Sequence, residues 1–426
     1  MQSLGDPSAV RKSVLPNGIR VLTEAVPQFT SATLGLWVEN GSAYEPPELN
    51  GISHFLEHIF FKGTERRTAK DIAESIDAVG GILNAFTGKE YTCYYAKVLR
   101  EDLPLALDVL SDLFLNSTFA EEEIERERGV ILSEISESED TPDDHIHVVF
   151  DRAFWPGHPL SLPITGTAQT VSAMRREHFV QFMRERYRPD RVIICAAGAV
   201  DHDWLVDQIG QAFAGLEGTT PRVNLAQAEA KPSLSLIERE LEQVQMVLGV
   251  PGLSNVDDRR YAAYVMNTAL GGGMSSRLFQ EVREKRGKAY TISSFLASFH
   301  HTGYLAVNAG LGAESVVEVI EVVRDELQKL ARSGLEAGEL ARAKSQIKGT
   351  ILLSLESSES RMSRIAKNEM YFGRNIEPAA VAEAITNVSH DDVVGVAREL
   401  FSDRMGVALL GDVADVKIDE SMLSPC

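Results

Sequence analysis

Five consecutive residues, His54-Phe55-Leu56-Glu57-His58, carry the chemistry that is most legible in this chain. An α-helix turns about 100° per residue, so His54 and His58 stand about 40° apart on one face, with Glu57 about 60° to the other side of His54. Their polar groups face one point. Ile52, Phe55, Leu56, Ile59, Phe60 and Phe61 surround them, so a helix here is largely buried and its polar atoms need an internal partner. A divalent metal meets that need. Two neutral imidazoles one turn apart bind zinc through nitrogen, and a neighbouring carboxylate that stays unbound can take a proton from water. The alternative is two satisfied core histidines beside a helix-face acid, and a third ligand elsewhere in the chain decides between them.

The surrounding elements must bring that ligand. Ser13 to Leu15 and Ile19 to Leu22 flank Pro16-Asn17-Gly18 as a hairpin, and Ser31 to Val38 reads as a strand. Thr68 caps a helix that Gly80-Gly81 stops, and paired strands follow at Ile82 to Thr87 and Tyr91 to Leu99. Pro104 opens a further helix. Glu121 to Glu139 is a long acidic helix whose acids mostly form a solvated face. Glu127 and Glu134 differ: they share a stripe beside Ile124, Ile131 and Ile135, so both carboxylates point inward. Zinc would satisfy a buried Glu134. Helices near Asp143 to Phe154 and Gln169 to Arg186 lead to the strand Arg191 to Ala197. After a linker rich in Gly, Thr, Pro and Ala the order of elements repeats. Glu339-Leu-Ala-Arg-Ala-Lys lies like Glu123-Ile-Glu-Arg-Glu-Arg, an offset of 216 that sets positions 54, 57, 58 and 134 against Leu270, Gly273, Met274 and Thr350. The second half is thus expected to be a duplicated domain without metal ligands.

Composition bounds the setting. The 42 basic residues against 62 acidic ones leave a net charge of −20, a sign that repels nucleic acid and anionic lipid and attracts cationic peptides. The longest apolar stretches, such as Val192 to Val200, are strand-sized, so no membrane span is expected. Met1 to Pro7 lacks a basic patch with an apolar core, so no secretory signal is expected there. Cys93, Cys195 and Cys426 are odd in number and widely spaced, which argues for a reducing compartment. The expectation is a bacterial cytoplasmic protein, with the mitochondrial matrix as the alternative for a chain whose targeting segment has been removed.

The order of the central motif reverses that of the His-Glu-x-x-His helix and matches the inverzincin pattern. With Phe61-Lys-Gly-Thr64, Asn84-Ala-Phe-Thr87, the run from Glu127 to Glu134, Leu270-Gly-Gly-Gly-Met-Ser-Ser-Arg-Leu278, Arg283 and Arg286-Gly-Lys-Ala-Tyr290, the chain resembles the M16 peptidases. It is most similar to the mitochondrial processing peptidase β-subunit and its short bacterial relatives, from Leu15 to the final strand near Met405. In that family the third zinc ligand is a Glu 76 residues beyond the second His, which here is Glu134. The resemblance implies one zinc per chain on His54, His58 and Glu134, with Glu57 as base and Glu127 as an accessory acid. It implies that Asn84, Ala85 and Phe86 form an edge segment that pairs with extended substrate. It also implies that Arg283 and Tyr290 reach the substrate carbonyl, where a guanidinium and a phenol stabilise an oxyanion. Two features depart from the family: Lys288 stands where an apolar residue is usual, and Gly271-Gly272-Gly273 replaces the long glycine-rich loop of the mitochondrial α-subunit.

The expectation is therefore an α+β protein of two similar domains, 1–216 with the zinc and 233–426 with the substrate-binding Arg and Tyr, joined by a linker at 217–232. By the resemblance each is an antiparallel sheet with helices packed on one face, and the chain forms a homodimer. The expected activity is zinc-dependent hydrolysis of internal bonds in unfolded or extended peptides, with a preference for basic residues. The other readings are a non-catalytic structural subunit and a peptide-binding partner of the same fold; the intact ligand set argues against both.

Overall fold

Strict alternation fails in the central strands. Val192–Gly198 is buried at every position and Ser31–Val38 at all but the first, so side chains on both faces of the sheet need cover. The computed structural model describes residues 10–424 apart from 222–224, 226–227, 232 and 403. Met1 to Pro7, Cys426 and part of the expected linker lie outside the described residues. The strands in chain order are β1 (Arg11–Val14), β2 (Arg20–Ala25), β3 (Ser31–Val38), β4 (Ile82–Thr87), β5 (Thr92–Leu99) and β6 (Val192–Gly198). They continue with β7 (Leu234–Glu238), β8 (Val244–Pro251), β9 (Ala289–Ser298), β10 (Gly303–Leu311) and β11 (Gly406–Gly411). The helices of the first half begin with α1 (Ile52–Phe60), α2 (Ala69–Asp77), α3 (Leu103–Asn116), α4 (Glu121–Asp140) and α5 (Pro142–Phe154).

The chain divides into two compact units, and neither is continuous in sequence. The first comprises Met1–Ser136, Leu162–Leu225 and Leu353–Ile376; the second comprises Glu137–Ser161, Ala226–Leu352 and Glu377–Cys426.

In the first unit a six-stranded sheet runs β1-β2-β6-β3-β5-β4, antiparallel except where β2 pairs parallel with β6. One face carries the main core, in which Leu34, Leu36 and Ile194 from the sheet pack with Phe55 and Phe60 of α1 and Leu110 of α3. The other face carries Leu22, Trp37, Cys93, Ile193 and Cys195, and Met362, Ile365 and Ala366 of the helix Ser358–Phe372 cover it. Gly35 makes that approach possible, since a Cβ there would stand 2.5 Å from Met362 Sδ. Buried carboxylates clamp this helix. Glu24 on β2 pairs with Arg361 and Arg364 at 2.7 and 2.8 Å, and Glu369 on the helix pairs with Lys12 at 2.6 Å.

The second unit repeats the plan. Its five-stranded sheet runs β7-β11-β8-β10-β9, with β7 parallel to β11 and the other pairs antiparallel. Leu248, Leu305 and Leu409 face the larger core. On the opposite face α5 lays Phe150 over Gly249, where a Cβ would meet the ring at 2.7 Å, stacks it on Phe154 and sets it edge-on to Tyr304.

The fold is the expected α+β pair of similar sheets with packed helices, and it adds three features. Each sheet has one parallel pair, and each is covered on both faces rather than one. The second cover comes from the other half of the sequence: α5 joins the second unit and Ser358–Phe372 the first, so the compact units do not follow a single boundary near 217–232. The expected helix from Gln169 to Arg186 is two, Ala168–Ala173 and Arg176–Arg186, parted at an extended Met174. No helix of the described residues is long and apolar enough to cross a membrane.

Removing Glu24 would leave two guanidinium groups facing an apolar interface with no carboxylate, a loss of about 3 kcal/mol. Glu24→Ala should lower the first thermal transition of the purified protein by roughly 5 to 10 °C. An unchanged melting curve would show that the clamp contributes little.

Candidate metal centre

Helix α1 has no side-chain cap of its own. Its N-cap is Gly51, at φ +96°, where a Cβ would stand 2.6 Å from Thr165 O. The exposed amides at a helix start need acceptors, and Glu45 supplies them from outside. Its carboxylate accepts from Gly51 N and Ser53 N at 2.8 Å each and from Asn50 Nδ2 at 3.1 Å. Burial pushes Glu45 up to about 7, although these donors pull it the other way. The helix is thus held at its start, and Ile52, Phe55, Leu56, Ile59 and Phe60 bury its apolar side.

Its polar side meets α4. There Ile124, Ile131 and Ile135 are buried, which turns Glu127 and Glu134 toward α1; Glu127 is buried as expected, whereas the Glu134 side chain stays 43 % exposed. His54, His58 and Glu134 each place one ligand atom within 4.8 Å of the others. Nε2 of His54 lies 3.6 Å from Glu134 Oε1, and Nε2 of His58 lies 3.6 Å from Glu134 Oε2. These separations are too long for hydrogen bonds. They match a shared ion, because ligands about 2.1 Å from a tetrahedral centre stand about 3.4 Å from one another. Nδ1 of His54 is buried with no hydrogen-bond partner. Burial, and then the neighbouring His58, lower His54 to about 4, so its ring is neutral at neutral pH and has a lone pair to give. Two imidazoles and a carboxylate are a donor set that fits zinc with one position left open.

The remaining acids are placed differently. Glu57 Oε2 accepts from Thr87 Oγ1 at 2.5 Å. Burial raises Glu57 above the usual carboxylate range, while the Thr87 hydroxyl and His58 draw it down. Glu127 is 3 % exposed. Its Oε2 accepts from His58 Nδ1 at 3.3 Å, and its Oε1 holds Lys62 Nζ at 2.7 Å. His58 is therefore oriented by a carboxylate on one nitrogen and presents the other to the cluster.

Strand β4 is the outermost of its sheet, and no strand of the described residues pairs with its other edge. Successive side chains alternate between faces, so Thr87 reaches Glu57 while Phe86 turns to the opposite face, where its ring meets Trp37 at 5.4 Å. Asn84 Oδ1 accepts from Ala85 N at 2.8 Å. Of the expected edge segment, Ala85 shares the side of Thr87, and the Asn84 and Phe86 side chains lie on the other. Arg283 and Tyr290 belong to the second unit. They are neighbours there, with the guanidinium 5.7 Å from the Tyr290 ring and 4.9 Å from that of Phe279. Tyr290, on the outermost strand β9, is 70 % exposed. Sequence reasoning passed over Glu45, Lys62 and Thr87. Lys62 carried a signal, since it follows His58 by four residues on the same helical face; Glu45 carried none beyond an acid in a polar turn.

Comparison with known proteins matches residues 20–168 to the family described as Insulinase (Peptidase family M16) and residues 173–347 to the Peptidase M16 inactive domain. The chain belongs to peptidase family M16. Among its relatives in that family, an uncharacterized zinc protease of Streptomyces coelicolor is 43 % identical over 95 % of this chain and 90 % of its own length. The uncharacterized zinc protease YmxG of Bacillus subtilis is 41 % identical over 94 % of this chain and 98 % of its own. The M16 fold is shared with two solved structures. A peptidase M16 inactive domain from Pseudomonas fluorescens superposes with a TM-score of 0.89 at 19 % identity, covering 96 % of this chain and 100 % of that one. A protease from Helicobacter pylori gives 0.88 at 20 % identity, covering 95 % and 99 %.

Glu45→Ala would strand two buried amides at the start of α1, at about 2 to 3 kcal/mol. The variant should melt earlier and retain less zinc after gel filtration than the parent. Equal melting and equal zinc would show that α1 keeps its place without this acceptor.

Proposed function

We propose that this M16 chain is a zinc-dependent endopeptidase acting on extended peptides. The observation that carries the reading is the convergence of His54, His58 and Glu134 at separations too long for hydrogen bonds and right for a shared ion. Glu57 stands beside this set with no ligand atom in it. The names of the relatives, uncharacterized zinc proteases, support the metal and the reaction class.

Zinc bound there supplies a Lewis acid, which polarises a carbonyl and makes a water more acidic. His54, His58 and Glu134 would hold the ion. Glu57 Oε2 is kept by the Thr87 hydroxyl, which leaves Oε1 to take a proton from the attacking water. As the tetrahedral centre collapses, the same carboxyl returns that proton to the leaving amine, so Glu57 ends the cycle as it began. Burial of Glu57 brings its proton affinity closer to what such a two-way transfer needs. The open edge of β4 accepts extended main chain along its length and requires no free terminus, which suits cleavage of internal bonds. Arg283 and Tyr290, adjacent in the second unit, supply the charge and hydroxyl that would steady the oxyanion. The net charge of −20 favours peptides carrying Lys or Arg.

Glu57→Gln should retain zinc by elemental analysis while hydrolysis of a quenched fluorogenic peptide falls by about 10² to 10⁴. His58→Ala should lose both. Turnover at the parental rate in the Gln variant would remove Glu57 from the role of base. Mass spectrometry of the fragments from a peptide library should show internal cuts enriched next to Lys or Arg, and fragments released only from chain ends would contradict the endopeptidase reading.

A further inference from the structure

We infer that Lys62 is a positioning residue for the metal centre, acting through Glu127 on His58. The inference rests on the metal reading above. Lys62 lies two residues past the end of α1, and its backbone N–H bonds Ile59 O at 3.0 Å, so its starting point is fixed by the last turn of the helix that bears both histidines. The next residue, Gly63, takes φ +134° and turns the chain away. Beyond it Thr64 donates to Asp112 Oδ2 at 2.8 Å, and Arg66 and Arg67 also bind Asp112, which ties the departing loop to α3.

Between these anchors Lys62 Nζ grips one oxygen of Glu127 at 2.7 Å, while the other oxygen meets His58 Nδ1 at 3.3 Å. A carboxylate held at one oxygen is free to turn about its own bond; held at both, it has one orientation. The His58 ring is then pinned with Nε2 toward Glu134. Among the described residues Lys62 is the only lysine or arginine paired with Glu57, Glu127 or Glu134.

The sign of the effect separates positioning from charge. A lysine near a divalent cation repels it, so if Lys62 acted only as a charge, its removal would tighten zinc binding. If it acts through orientation, its removal weakens zinc binding, as loss of an outer partner of a metal-bound His does.

The test is the zinc dissociation constant of the full chain, read by competition with a chelator, for the parent, Lys62→Met, Lys62→Arg, Glu127→Gln and the double variant Lys62→Met with Glu127→Gln. Circular dichroism verifies the fold of each. Zinc binding should be about tenfold weaker in Lys62→Met and mostly restored in Lys62→Arg. It should be no weaker in the double variant than in Glu127→Gln alone. Equal or tighter binding in Lys62→Met, or full additivity in the double variant, would overturn the proposal. A parent chain that takes up no zinc would instead overturn the metal reading on which it rests.

Discussion

Gathering two imidazoles and a carboxylate beside an apolar helix face, with His54 buried and Glu134 half-exposed, is unfavourable unless something satisfies them. In this chain the three groups that meet are His54, His58 and Glu134, and they do not satisfy one another: 3.6 Å separates the closest pairs. The rest of the first unit is arranged to keep them so. Glu45 fixes the start of α1, the isoleucines of α4 turn Glu134 inward, and Glu127 holds the far nitrogen of His58. Relaxing any of these would let a histidine and a carboxylate close to hydrogen-bond distance, which would fill the space an ion needs.

The same unit shows how much of the site was legible in the residues alone. Helix α1 was legible because apolar residues at helical spacing surround two histidines one turn apart. Glu127 and Glu134 were legible as inward acids because a stripe of isoleucines lies beside them. The division of labour between the two acids was not, because spacing on a helix does not say which carboxylate reaches Nε2 and which reaches Nδ1; the resemblance to M16 peptidases supplied the choice of Glu134. Lys62 had no assigned role, since its partner lies 65 residues along the chain.

The fold was legible strand by strand for a similar reason. Glycine, proline and asparagine mark the turns, and strands such as Ser31–Val38 have the bounds expected for them. What the residues did not declare was which sheet an amphipathic helix would cover. Hydrophobic spacing in α5 and in Ser358–Phe372 says that one face is buried, not against what. The run Val192–Gly198, apolar without alternation, did hold the sign that a second layer was needed, whereas Ser31–Val38 alternates as far as Leu36. Gly35 and Gly249, at matching places on β3 and β8, make room for it, with Met362 over one and Phe150 over the other. The duplicated plan therefore extends to the back of each sheet, while the metal-binding groups belong to the first unit alone among the described residues.

X-ray absorption at the zinc edge of the purified, metal-loaded chain tests the central claim most directly. The account predicts one zinc per chain with a first shell of nitrogen and oxygen at about 2.0 to 2.2 Å, and outer-shell scattering of two imidazoles. A sulfur shell, fewer than two imidazoles, or zinc well below one per chain would contradict it.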